Sequence, residues 1–164
     1  MYERFTDSAL KIMRLANLEA NKLNHSSIET SHLLLGMLTD ELVVGIFKVT
    51  GLDPNLLRLE VERGLSLADA YPPVVTPIWW LPIGDMVQLV LCYTKQEAVI
   101  LKDEHIDSEH LLLGFVRFSE ELNKRKIKVA HVLNFKQLAD LDFARDVYLR
   151  LRNRKKVSEY MSSY

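Results

Sequence analysis

The sequence predicts an all-α protein, with eight helices in two pseudo-symmetric four-helix repeats that form one body. Three observations carry that expectation. "IETSHLLLG" at 28–36 returns as "IDSEHLLLG" at 106–114, with six of nine letters identical at an offset of 78. The stripe Ala9, Met13, Ala16, Ala20 and Leu23, at 4-3-4-3 helical spacing, returns in register as Val87, Leu91, Thr94, Ala98 and Leu101. No segment sustains the period-two alternation of a half-buried strand. A motif and a helical stripe that share one offset mark a structural repeat.

The first helix is expected over about 6–24, stopped by the polar turn "NHSS". Thr30 is the expected N-cap of a short helix to about Leu38, "TDE" opens the next over about 41–50, and Gly51 closes it. Asp53 as N-cap, with Pro54 at the first helical position, starts the fourth. The second repeat is read as helices over about 84–102, 108–118, 125–133 and 136–152. The repeats then occupy about 1–65 and 84–152, joined by a segment at about 66–83, and 153–164 is a polar C-terminal tail.

The joining segment contains Pro72, Pro73, Pro77 and Pro82, which forbid a continuous helix and favour extended backbone. Val74, Val75, Ile78, Trp79, Trp80 and Leu81 make it too apolar for a free linker, at about 1.5–3 kcal/mol for each large side chain buried. Two readings follow. Either the segment is a strap packed across both repeats, or Trp79 or Trp80 presents a face to a partner.

Composition narrows the function classes. The chain has 164 residues, 48% apolar, with 21 basic and 22 acidic side chains, so no global field points to nucleic acid or membrane. Cys92 is the single cysteine and cannot form an internal disulfide. The start "MYERFTDSAL" lacks the apolar core of a signal peptide, and no apolar run approaches the ~18 residues of a membrane span. A reducing, cytoplasmic compartment is the expectation.

"RFTDSALKIMRLANLEANKLNHSSIETSHLLLGML" resembles the first repeat of the Clp N-terminal domain family, and "LPIGDMVQLVLCYTKQEAVILKDEHIDSEHLLLGF" resembles its second. The resemblance implies two four-helix repeats about a pseudo-two-fold. It also implies a non-enzymatic module, without cofactor, that binds adaptors and substrates for Clp-type AAA+ unfoldases. The expected partners are a Clp-type ATPase, a Clp peptidase, or adaptor and substrate proteins, on a groove between the repeats. No G-x-x-x-x-G-K-[ST] loop occurs to hold a nucleotide phosphate. The chain is therefore read as an excised N-domain or a free-standing accessory protein. Departures in the second repeat, with Asp103 where the family has His and Gly84 where it has Thr, favour the free-standing reading. The alternative function is a free-standing regulator that reuses the fold for an unrelated protein or nucleic acid.

His32 and His110 are the natural general-base candidates, but no nucleophile with a matched partner stands beside either in sequence. Each follows an expected N-cap by two residues and is read as fixing the start of its helix. The five histidines lack HxxxH or HExxH spacing, so no metal site is expected. Gly36 and Gly114 are read as permitting close helix approach, and Cys92 as a partly covered thiol. "KRKIK" at 124–128 and the arginines and lysines at 150–156 read as solvated helix ends or a docking patch for an acidic protein. Neither carries the aromatics or basic face that nucleic-acid binding needs.

The resemblance adds one ligand. Family members that recognise phosphoarginine use the glutamate of Thr-Glu-His to hold the guanidinium, while free N–H groups at the helix start take the phosphate. Here Ser108-Glu109-His110 keeps that glutamate, and Thr30-Ser31-His32 does not. At most one such pocket is expected, and if it binds a cationic group Glu109 should be solvent-accessible beside free N–H groups.

Overall fold

In a computed structural model of the chain, the structure describes residues 2–66 and 80–125, together with 146, 148, 149, 152 and 153. These residues form six α-helices: α1 (Asp7–Lys22), α2 (Thr30–Met37), α3 (Glu41–Val49), α4 (Pro54–Ser66), α5 (Asp85–Ile100) and α6 (Ser108–Lys124). Asp146, Tyr148, Leu149, Arg152 and Asn153 are also helical. The expected count of eight is not reached among the described residues. α6 runs six residues past its expected end, because Phe115, Val116, Phe118 and Leu122 continue its buried face. The helix expected next, and Trp79 with most of the strap, lie outside the described residues.

α5 has the bounds of α1 shifted by 78, and α6 starts 78 residues after α2. α1 packs on α2, and α5 on α6. The stripe of α1 is fully buried from Ala9 to Ala20, as is that of α5 from Val87 to Ala98, apart from a slight edge at Leu91. Leu33, Leu34 and Leu35 join Leu111, Leu112 and Leu113 in one core with Phe47, Phe115 and Phe118. Both helices end alike. Asn24 and Lys102 take left-handed φ values of 55° and 57°. The N–H groups of His25 and Asp103 then reach back to the carbonyls of Ala20 and Ala98.

Two single parallel β-bridges cross between the halves. Phe5 pairs with Ile106, and Ile83 pairs with Ile28. Thr6 N–H donates to Ile106 O at 2.9 Å and Ile106 N–H to Arg4 O at 2.7 Å. Gly84 N–H donates to Ile28 O at 3.0 Å and Ile28 N–H to Pro82 O at 2.8 Å. Each bridge is the other displaced by 78 with the halves exchanged. The segment before α5 is thereby held down: Leu81 is buried against Ala16, Ala20 and Ile28, and its N–H donates to Asn17 Oδ1 at 2.8 Å. No helix among the described residues is long and apolar enough to cross a membrane.

Candidate functional site

The starts of α2 and α6 are built by the same device. Their N-caps are Glu29 and Asp107, one residue before the expected Thr30 and Ser108, which are instead the first helical residues. The shift has a cause three residues on. His32 Nδ1 accepts from Glu29 N–H at 2.9 Å, and His110 Nδ1 accepts from Asp107 N–H at 2.9 Å. Each acidic cap's carboxylate accepts in turn from the backbone N–H of the histidine, which completes a reciprocal capping box with His in the place of the usual Glu or Gln.

An Nδ1 that accepts leaves the ring proton on Nε2. In α2 that proton points to His25 Nδ1 at 2.9 Å, and in α6 to Asp103 Oδ2 at 3.1 Å. The two acceptors are again 78 apart, but one is an imidazole and the other a carboxylate. Arg152 donates to it from both terminal guanidinium nitrogens, at 2.8 and 2.6 Å. Burial alone would raise the Asp103 carboxyl, but the hydrogen bonds from Arg152 and His110 outweigh it and hold the group below the usual aspartate range.

Glu109 lies on the same turn and is only 7% exposed. Tyr148 Oη donates to its Oε1 at 2.8 Å, while Oε2 has no hydrogen-bond partner among the described residues. Burial pushes the Glu109 carboxyl above the usual glutamate range, and the Tyr148 bond does not offset it. The Tyr148 hydroxyl is pushed up in turn, by burial and then by the Glu109 charge. The start of α6 is therefore an acidic recess covered by Tyr148 and carrying a guanidinium on its rim.

That arrangement does not present the open entry that the condition for such a pocket describes. Glu109 is not solvent-accessible, and the Ser108 and His110 N–H groups are engaged by the Asp107 carboxylate rather than free for a phosphate. Arg152 is no solvated helix-end cation but half of an ion pair. Cys92, expected to be partly covered, is exposed. At the start of α2, Thr30 and Ser31 are buried. Trp80 is 43% exposed, with its ring edge-on to Tyr2 at 6.4 Å, well away in sequence from both helix starts. A Cβ on Gly36 would stand 2.6 Å from the Ile12 carbonyl, and one on Gly114 would meet Thr94, so neither position accepts a side chain without movement.

Tyr148 and Arg152 are the site residues that local sequence reading misses, because they reach the recess from far along the chain. Asp103 had a signal, as the counterpart of His25 seven residues before a motif histidine.

Comparison with known proteins places this geometry in a family. The profile of the Clp repeat N-terminal domain matches residues 4–128. A probable ATP-dependent Clp protease ATP-binding subunit of Chlamydia pneumoniae is 30% identical over 134 residues, 80% of this chain and 15% of the relative. The chloroplastic chaperone protein ClpC of Pisum sativum is 32% identical over 130 residues, 78% of this chain and 14% of the relative. The chain thus spans about one seventh of the length of these relatives. The Hsp104 N-terminal domain from Candida albicans superposes with a TM-score of 0.68 at 21% identity, covering 92% of each chain, and so shares the fold.

Proposed function

The chain belongs to the Clp repeat N-terminal domain family, and from that premise we propose that it is a non-enzymatic protein-binding module of a Clp-type ATP-dependent protease or chaperone system. It acts as an accessory subunit or as the domain that receives substrates and adaptors. The observation that carries this reading is the family match across both halves, together with the paired His-capped helix starts. The two halves act as repeats of one body, and the working compartment is a reducing one such as the cytoplasm, consistent with the single exposed Cys92. Salt-dependent retention on DNA or RNA with no retention of Clp components would instead mark a free-standing regulator that reuses the fold.

The finer proposal places cationic-group recognition at the start of α6. Arg152 already holds a guanidinium on Asp103, and Tyr148 covers Glu109, so an arginine or phosphoarginine side chain of a substrate would have to displace both. The test is titration with a basic peptide and with a phosphoarginine-bearing peptide. Arg152→Ala, which removes the internal competitor, should tighten binding. Glu109→Ala should weaken it by more than about 1.5 kcal/mol, the low end for charged hydrogen bonds. Equal binding by wild type and both variants would leave the α6 start as a structural device alone.

A further inference from the structure

The start of α2 forms the same His capping box as that of α6 with His25 in the place of Asp103 and Ser31 in the place of Glu109. Ser31 and His32 are buried there, as Glu109 and His110 are in α6. The fold thus makes this helix start without either carboxylate. Capping does not account for Asp103 and Glu109, whereas the groups they hold do.

Both are held by one segment. Tyr148 and Arg152 are helical and four residues apart, the spacing that sets two side chains on one helix face. Tyr148 Oη reaches Glu109 on α6, and Arg152 grips Asp103 in the turn before it, with its guanidinium 6.0 Å from the Tyr148 ring. The fit is incomplete on the side of the recess. Glu109 is more than nine-tenths buried, yet its Oε2 has no hydrogen-bond partner among the described residues, a state that costs stability until a donor arrives. The Asp103–Arg152 pair keeps one edge in water, at 18% and 28% side-chain exposure. An incoming segment meets that edge first.

We propose that Tyr148 and Arg152 stand in for a partner: the α6 recess receives a helical protein segment with a tyrosine and, four residues later, an arginine, and the chain's own segment of that form occupies it until displaced. The inference rests on the reading of the α6 start as a recognition site, and adds the form of the ligand and the reason the site is closed. The tyrosine hydroxyl donates to Glu109 without carrying a second charge into a buried space, and the arginine meets Asp103 with two bonds from one planar group. The unpartnered Oε2 lets an incoming segment bind better than the resident one, by one more donor. A tethered occupant competes at high effective concentration, so the partner's apparent affinity is lowered by the small open fraction.

Calorimetric titration of the full chain with a helix-stapled peptide of residues 146–153 tests it. Wild type should bind the peptide weakly. The chain with Tyr148→Phe and Arg152→Gln, which removes both contacts and nearly keeps side-chain size, should bind it at least about tenfold more tightly. Tyr148→Phe or Arg152→Gln placed in the peptide should each weaken that binding at least about fivefold. If the double variant does not fold, Tyr148→Phe alone in the chain serves the same comparison, with a smaller gain. A basic peptide without tyrosine and a phosphoarginine peptide separate this inference from the reading it rests on. Binding of these two, with the 146–153 peptide silent, bound equally by wild type and variant, or indifferent to its own Tyr148→Phe, overturns the stand-in and leaves cationic recognition in place. Binding of no peptide by any folded chain overturns both.

Discussion

Glu109 is a carboxylate held where water is nearly excluded, with one oxygen bonded to Tyr148 and the other unpartnered among the described residues. Its folded-state pKa lies above the ordinary value of 4.5, so in the window between the two the folded chain holds more protons than the unfolded chain. Stability must then rise as pH falls through that window, and the burden of the buried charge is full only above it. Asp103 has the opposite sign: its contribution is present above the ordinary aspartate value of 3.8 and is lost as pH falls through its lowered folded value. Comparison of wild type with Glu109→Gln cancels the Asp103 part. Urea unfolding from neutral pH down to about 4.5 should show wild type gaining stability relative to the variant, whatever the offset between them at neutral pH. A difference that stays flat with pH would show that Glu109 titrates normally. The position of Glu109 between cap and histidine is legible in the motif. Its burial is not, because Tyr148 stands 39 residues away.

At the scale of elements, the two corners where the halves meet carry a compensating exchange. Thr6 caps α1 and its hydroxyl donates to Asp107 Oδ1 at 2.8 Å. The corresponding pair is Gly84, which caps α5, against Glu29. A Cβ on Gly84 would lie 2.5 Å from Glu29 Oε1, so the longer carboxylate fills the space that the missing side chain leaves. Gly84→Thr alone should cost about 1–3 kcal/mol by overpacking. Adding Glu29→Asp should recover much of that loss and supply a side-chain cap worth about 1 kcal/mol. A double-mutant cycle in urea should therefore show favourable coupling of at least about 0.5 kcal/mol, and additive losses would contradict the corner's account. Helix existence and both apolar stripes were legible from spacing. The caps were misread by one residue: Thr30 is a favoured cap type and Glu29 is not, Ser108 and Asp107 are favoured alike, and in both helices the acid forms the box with the histidine. The end of α6 was misread because its apolar face continues through "FVRFSEEL" without a breaker.

In the molecule as a whole, the reciprocal bridges Phe5–Ile106 and Ile83–Ile28 join the halves through backbone, and the leucine runs join them through one core. The offset in the sequence anticipates where those contacts start. It carries no sign of their exchange between halves, because pairing partners 101 and 55 residues apart leave no local pattern. Nor does it single out Arg152, whose partner Asp103 is fixed only once α5 turns through Lys102. The most direct measurement is co-sedimentation of the chain with the Clp ATPase and the Clp peptidase of its own organism, at low and at physiological salt. Saturable co-migration with at least one of them is the expected result. Retention of neither at either salt, by a chain shown to be folded, would contradict it.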